Sequence, residues 1–195
     1  MYNAAVWLAN VREVSGKEID IDWQPFSLAQ VNSDNKGGDV KLWEQPEHLD
    51  GSDPTFLAHR AGLSAKRQGK EAFESFFITL LRARHEDKVD LNDPAVIEEA
   101  VTKAGLDMAR FREDVADPDL LRELGESHTR AVEEYGAFGV PTFVFPSGKT
   151  AFLKMFVPPK EESEEMYDSL MKVMSEFGHL GELKRPQPPW PHGVI

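Results

Sequence analysis

Few side chains in this sequence are placed to do nucleophilic, acid–base or metal chemistry. The chain has six histidines and no cysteine, which excludes disulfides, thiolate metal sites and a cysteine nucleophile among these residues. Ser127 and His128 are adjacent, and neighbours on a helix point to different sides, so we predict a solvated helix surface there rather than a catalytic triad. The run Arg84–Asp87 (RHED) could provide a base or a ligand. It lacks the His-Glu-x-x-His pattern, and we predict no metal site.

A proline stands where a strand is expected to begin. The runs Pro141–Phe145 (PTFVF) and Thr150–Phe156 (TAFLKMF) flank a Pro-Ser-Gly-Lys turn, which predicts two short strands. Proline has no backbone N–H and cannot lie inside an ordinary central strand. Its position directly after Gly139-Val140 therefore indicates a special backbone geometry at this point of the chain.

The first part of the chain predicts a helix, a strand and a loop, in that order. Apolar residues at helical spacing in segment 4–14 predict a helix, and Ser15-Gly16 is a typical stop. Apolar and polar residues alternate in segment 18–24 (EIDIDWQ), which is typical of a half-buried strand. Residues 29–52 are rich in Asn, Asp and Gly, and we predict a loop there.

The middle of the chain predicts a block of helices, which we place at residues 53–135. Three Asp-Pro pairs in this block predict helix starts, because aspartate caps free N–H groups and proline suits the first helical position. These pairs are Asp53-Pro54, Asp93-Pro94 and Asp117-Pro118. Segment 70–87 places phenylalanine and leucine on one face, which predicts core packing. Residues 159–177 predict a closing amphipathic helix, and the proline-rich tail 183–195 is expected to be extended.

Composition and charge narrow the class of protein. A chain of 195 residues suits one domain or one domain with a large insertion. The net charge of −12 repels nucleic-acid phosphates and anionic lipids, so we expect neither a nucleic acid nor a membrane as partner. The sequence has neither an apolar run of about 20 residues nor a signal-peptide pattern, and we expect a cytoplasmic protein.

Several segments resemble the DsbA-like thioredoxin family. Phe138–Phe145 (FGVPTFVF) is similar to the family's cis-proline signature, and Tyr2–Leu8 (YNAAVWL) is similar to the helix after its redox motif. Ile21–Leu28 (IDWQPFSL) resembles the strand that follows, and Gly178–Trp190 (GHLGELKRPQPPW) resembles the tail of mycothiol-dependent members. The closer matches lie in the branch of 2-hydroxychromene-2-carboxylate isomerases, kappa-class glutathione transferases and mycothiol-dependent reductases.

The resemblance implies a fold and a location for the site. The fold is α/β: a thioredoxin-like sheet in a single domain, 1–195, with a large all-helical insertion at about 53–135 and its first strand missing from the chain. The Val140–Pro141 bond is expected to be cis and to present backbone groups of Val140 to a peptide-like thiol, which adds as an extra strand.

The resemblance also implies which residues touch a small thiol or disulfide substrate. The binding residues it implies are Val140, Pro141, Thr142, Tyr2 and Asn3. The implied cofactor is a low-molecular-weight thiol, either glutathione or mycothiol.

The chain departs from the family at its N-terminal end. Family members carry a Cys-x-x-Cys, Cys-x-x-Ser or Ser-containing motif, after a core strand, just before the position of Tyr2. Both are missing here, so the catalytic residues are unknown, and we expect a thiol-linked oxidoreductase scaffold that is truncated at its N terminus. The alternatives are a glutathione-type isomerase or transferase of the same fold and a non-catalytic module that binds thiols or peptides. An open sheet edge also predicts pairing into a homo-oligomer.

Overall fold

The computed structural model describes residues 1–184, so most of the tail that we predicted to be extended lies outside the described residues. The chain divides into two compact units. The terminal unit comprises Met1–Trp23 and the chain from Val132 onward, and the helical unit comprises Gln24–Ala131. The predicted helical block thus lies mostly in the helical unit, which begins at Gln24, the last residue of the segment predicted as a strand.

Two long helices frame the terminal unit. Helix α1 spans Tyr2–Ser15, and Gly16 ends it in the left-handed conformation with φ 67°, which confirms the predicted stop because glycine adopts this conformation without strain. A 3-10 helix at Lys160–Glu162 leads into the closing helix Ser163–Glu176. That helix packs against α1.

The sheet of the terminal unit is a short antiparallel pair. Strand β1 is Thr142–Val144 and strand β2 is Thr150–Phe152, with Thr142 opposite Phe152. Gly148, at φ 79°, forms the predicted turn between them. The second strand ends at Phe152, four residues earlier than the predicted Phe156.

The core of the terminal unit lies on one face of α1. Trp7, Leu8 and Val11 are buried there, and Trp7 Nε1 donates a hydrogen bond to the Ser163 carbonyl at 3.1 Å. Partly buried apolar side chains surround them: Ile19, Ile21, Trp23, Phe143, Leu153, Met155, Met166, Tyr167, Leu170 and Met171. The apolar side chains of the hairpin and of the closing helix thus pack against the same face of α1.

Segment 18–24, predicted as a strand, is not one. Its side chains do alternate between partly buried and exposed as predicted. Within residues 1–184, however, the sheet consists of β1 and β2 alone. The prediction fails because alternation decides which side chains are buried, whereas a strand also needs a neighbouring strand for its backbone hydrogen bonds.

The helical unit is built from short helices followed by long ones. Its first part contains α2 (Leu28–Asp34), a 3-10 helix (Leu42–Glu44), α3 (Pro46–Leu49) and a second 3-10 helix (Pro54–Phe56). Its second part contains α4 (Leu57–Arg67), α5 (Lys70–His85), α6 (Pro94–Lys103), α7 (Met108–Val115) and α8 (Asp119–Tyr135). The last residues of α8 belong to the terminal unit. With these bounds, the closing helix Ser163–Glu176 is α9.

The three predicted Asp-Pro starts are confirmed. Asp53, Asp93 and Asp117 each accept a hydrogen bond from the backbone N–H two residues later, at 2.8, 2.9 and 2.9 Å. A fourth cap, Asp107, accepts from the Arg110 N–H at 3.0 Å without a proline to mark it. Each such cap stabilises its helix by about 1 kcal/mol.

The predicted loop at residues 29–52 contains helices. Ser27 Oγ accepts from the Gln30 N–H at 3.0 Å and so caps α2. The buried Gln30 side chain then donates to the Val40 carbonyl at 2.9 Å and accepts from the Leu42 N–H at 2.8 Å. The loop prediction is wrong because this buried amide satisfies backbone groups that the polar composition alone would leave to water.

Two clusters form the core of the helical unit. The first contains Trp43, Phe56, Leu63, Leu120, Leu121 and Leu124. In the second, Phe73 stacks on Phe77 with ring centroids 5.4 Å apart, and Phe76 lies 6.3 Å from Phe111. The predicted core role of the phenylalanine face of α5 is therefore confirmed.

Candidate functional site

The loop that precedes β1 is tightly built. The Val140–Pro141 peptide bond is cis, in agreement with the sequence prediction. Thr142 Oγ1 donates to the Gly139 carbonyl at 2.8 Å and closes the loop. A Cβ on Gly139 would lie 3.2 Å from Phe152 Cε2, a separation that only glycine accommodates without movement of the ring. The local sequence Gly-Val-Pro-Thr thus fixes the approach to the strand.

The register of the hairpin shows which backbone groups of β1 are left on its open edge. The Leu153 N–H donates to the Pro141 carbonyl at 3.1 Å, and the Phe145 N–H donates to the Lys149 carbonyl at 2.9 Å. Residues of an antiparallel pair alternate between bonding the neighbour and pointing away from it. The N–H and C=O groups of Thr142 and Val144 therefore point away from β2. Within residues 1–184 no strand pairs with that edge.

The side chains on one face of the hairpin are apolar and exposed. Val144 is 45% exposed and Phe152 is 39% exposed, whereas Phe143 faces the core on the opposite side. Phe138 is 66% exposed and packs on Phe152 with centroids 4.9 Å apart. Together with Thr142, these form an uncharged surface beside the open edge. We call the edge and this surface the hairpin site.

The five residues predicted from the resemblance lie in the same unit but in two places. Val140 and Thr142 are partly buried and Pro141 is buried at the hairpin site. Asn3, in the first turn of α1, donates from Nδ2 to the Met155 carbonyl at 2.8 Å, and the neighbouring Tyr2 is partly buried.

Pro141 at the hairpin site and Asn3 on α1 both form hydrogen bonds with the same short segment, residues 153–155. Leu153, which bonds Pro141, and Met155, which bonds Asn3, are two residues apart, so their Cα atoms are separated by at most about 7 Å. Asn3 holds this stretch to α1 through one N–H group of its side-chain amide. Val144, which the sequence interpretation missed, is added to the site because its outward direction depends on the register.

The prediction for Ser127 and His128 is wrong about their exposure. Ser127 is 8% exposed and His128 is 3% exposed. Ser127 Oγ donates to the Pro25 carbonyl at 2.9 Å, and His128 Nδ1 accepts from the Ser27 N–H at 3.2 Å. They do not pair with each other, because successive helix residues diverge as expected. Both side chains are instead buried against residues 25–27, a contact that hydrophobic spacing in α8 did not reveal.

The hairpin site is suited to recognition through the backbone. Its side chains carry no ionisable group, and the chain has no cysteine. Across residues 1–184 no group of three or more His, Cys, Asp or Glu side chains could hold a metal ion. None of the helices described is both long and apolar enough to cross a membrane. An open strand edge beside an apolar face can bind an extended ligand by adding it as a strand.

Comparison with known proteins agrees with this architecture. The model of the DsbA-like thioredoxin domain family matches residues 2–170. The matched range begins in α1, includes the helical unit and the hairpin, and ends within α9. No curated protein was found to match the chain. The family model covers most of the chain, and the protein therefore belongs to the DsbA-like thioredoxin domain family.

Proposed function

We propose that this protein is a thiol-linked oxidoreductase scaffold that binds a small thiol or disulfide at the hairpin site. The observation that carries the proposal is the open edge of β1, where the backbone groups of Thr142 and Val144 point away from β2. A peptide-like thiol such as glutathione or mycothiol has amide groups that pair with such an edge. Membership in the family supports sulfur chemistry as the purpose of this binding.

The reactive sulfur has to come from elsewhere. A thiolate is the nucleophile in thiol–disulfide exchange, and the 195 residues contain no cysteine. We propose that a motif preceding Tyr2, or a bound low-molecular-weight thiol, provides it. An isomerase or transferase that orients glutathione is the second candidate, because the hairpin site needs no cysteine of its own to hold a thiol. A non-catalytic thiol- or peptide-binding module is the third candidate. The cytoplasmic location and the homo-oligomer stay predictions.

Removal of one outward N–H tests the binding site. Val144→Pro deletes that N–H without touching the bonds between β1 and β2, and proline is tolerated on an edge strand when its nitrogen faces solvent. We expect the Kd for glutathione, measured by calorimetry, to rise about three- to tenfold, as one lost hydrogen bond predicts.

The matched control is Val144→Ala, which keeps the N–H and removes only side-chain atoms. We expect its Kd to stay within about twofold of the parent value, since it leaves the hydrogen bond intact. Amide resonances of residues 140–144 should shift on titration in the parent protein. Equal weakening by both variants, or shifts confined to other residues, would contradict binding through the edge.

A disulfide-reduction assay separates the three candidates. When no glutathione or mycothiol is added, we expect the cysteine-free chain to give no turnover above the buffer rate, because neither the protein nor a bound thiol then provides a thiolate. A version extended with natural upstream residues that contain a Cys motif should reduce the substrate and unfold at a higher temperature. A Ser motif upstream would favour the isomerase or transferase. The absence of both a Cys motif and a Ser motif would favour the binding module. Robust turnover by the cysteine-free chain without any added small thiol would refute the oxidoreductase scaffold in the form proposed.

A further inference from the structure

Three side chains hold three consecutive backbone residues in the helical unit. Ser127 Oγ donates to the Pro25 carbonyl at 2.9 Å, His59 Nε2 lies 3.2 Å from the Phe26 carbonyl, and His128 Nδ1 accepts from the Ser27 N–H at 3.2 Å. The Phe26 ring also packs on the His128 ring with centroids 4.5 Å apart. We call this arrangement the 25–27 clamp.

The clamp lies where the chain passes between the two units. The chain enters the helical unit at Gln24 and leaves it after Ala131. Residues 25–27 follow the first of these points directly, and Ser127 and His128 lie within about one helical turn of the second. The clamp therefore joins the entering and the leaving segments of the helical unit to each other.

The hydrogen bond from Ser27 requires a neutral His128, and protonation of His59 would add a buried donor that has no acceptor. His59 faces a carbonyl and has to carry its proton on Nε2, which leaves Nδ1 buried without a hydrogen-bond partner. His128 accepts a hydrogen bond on Nδ1 and has to carry its proton on Nε2. Protonation would turn His128 Nδ1 into a donor that faces the Ser27 N–H, and would place a new N–H of His59 where no acceptor lies.

The surroundings of the two rings oppose protonation. Burial lowers the pKa of His59, and its contact with the Phe26 carbonyl offsets this only in part. Burial also lowers the pKa of His128. The charged and titratable groups that act on His128 are Asp34 from α2, which raises its pKa, and Lys41 and His59, which lower it further. The Trp43 ring also packs against the His128 ring, with centroids 5.2 Å apart.

We propose that His59 and His128 make the 25–27 clamp a pH-sensitive latch, which is closed when both rings are neutral and releases the entering segment when they are protonated. The sign follows from linkage. A folded pKa below the ordinary histidine value of about 6.5 means that the unfolded or released form binds more protons. The latch is therefore fully closed above about pH 6.5 and opens as the pH falls through the lower folded pKa values.

Hydrogen exchange of single amides tests the latch in the intact protein. We expect the protection factor of the Ser27 amide, corrected for intrinsic rate, to fall at least tenfold between pH 7.5 and pH 5.5. Amides of α5, which do not touch the clamp, should keep theirs within about twofold. The imidazole resonances of His128 should titrate with the same midpoint as the Ser27 amide shift, which gives a readout that needs no variant.

Variants without the two imidazoles test whether His59 and His128 cause the pH dependence of Ser27 protection. His59→Gln keeps a donor near the Phe26 carbonyl, and His128→Asn keeps an oxygen acceptor near the Ser27 N–H, so the double variant should show less than a twofold change in Ser27 protection over the same range. The matched control is His48→Gln, a buried histidine of the same unit whose ring contacts Phe56. It should retain the tenfold change. Parallel loss of protection in α5, pH dependence in the double variant, or its disappearance in His48→Gln would overturn the proposal.

Discussion

In the helical unit, Asp93 and Asp107 close helix starts by accepting from backbone N–H groups, whereas in the terminal unit the backbone groups of Thr142 and Val144 face outward from β1. The first arrangement leaves little for a ligand to bind. The second offers hydrogen bonds that folding itself has not used. In the proposed function the terminal unit therefore carries recognition, whereas the backbone groups at these helix starts of the helical unit are already paired within the fold.

The cores of the two units also differ in how completely they bury their large apolar side chains. The helical unit buries many large apolar side chains nearly completely, in two clusters. In the terminal unit, the buried cluster of Trp7, Leu8 and Val11 on α1 is surrounded by side chains that are only partly buried. Trp7 is the largest fully buried side chain of the terminal unit, whereas the helical unit has several large ones, among them Phe56 and Phe76. Substitutions should therefore act very unequally in the two units.

The largest effect is expected at Trp7. Trp7→Ala removes a fully buried ring and should lower the free energy of unfolding by about 3–5 kcal/mol. Denaturant titration measures the total, and hydrogen exchange should show that α9 loses protection before α5 does. The control Trp7→Phe keeps most of the bulk and removes the hydrogen bond to the Ser163 carbonyl, at a cost of about 0.5–1.5 kcal/mol. Equal loss of protection in both helices would remove the distinction between the two cores.

A pair of helix glycines sharpens the comparison within the helical unit. A Cβ at Gly125 would lie 2.3 Å from Trp43 Nε1, whereas at Gly62 the nearest atom is Phe73 Cε2 at 3.8 Å. Gly125→Ala should therefore destabilise the protein by about 1–3 kcal/mol through overpacking. Gly62→Ala should stabilise it by about 0.5–1 kcal/mol, because alanine favours a helix interior. Thermal unfolding of the two variants measures this, and a shift of the same sign in both would refute the packing argument.

The smallest effect is expected at a helix cap. Asp93→Ala leaves the Ala95 N–H without its acceptor and should lower the free energy of unfolding by about 1 kcal/mol. Asp93→Asn keeps an oxygen at the cap and should change it by only a few tenths of a kcal/mol. Chemical denaturation of the three proteins at equal pH decides the matter. If the alanine and asparagine variants lose equally, the cap does not act through this hydrogen bond.

Local signals in the sequence were sufficient where the cause of the structure is local. The aspartate of each Asp-Pro pair accepts a hydrogen bond from the backbone N–H two residues later, so those helix starts could be predicted from the sequence alone. Gly16 is the same kind of case, since its φ of 67° is a property of one residue. The phenylalanine face of α5 could be predicted because helical spacing fixes which side chains share a face.

Structure that depends on distant partners could not be predicted. The alternation in segment 18–24 predicted burial correctly, yet it said nothing of a neighbouring strand. Helix α2 depends on Gln30, whose bonds to Val40 and Leu42 exist only after the chain has turned. Likewise, the place of Val144 in the hairpin site depends on the register between β1 and β2, which several residues determine together. The burial of His128 depends on residues about a hundred positions away in the sequence.

The bond between Ser127 and Pro25 has a consequence for how such a chain can be assembled. The helical unit is one continuous segment, and this bond brings its beginning and its end within a hydrogen-bond length. The segments that enter and leave the unit therefore lie side by side near residues 25 and 127. A segment with adjoining ends can be lengthened, shortened or exchanged without stretching the chain on either side, which is why insertions are tolerated at such points. The entropy of closing a loop also grows only slowly with its length. Variation in the size of the helical unit should therefore cost the terminal unit little, and a graft of the segment between related proteins has its natural boundaries near residues 24 and 131.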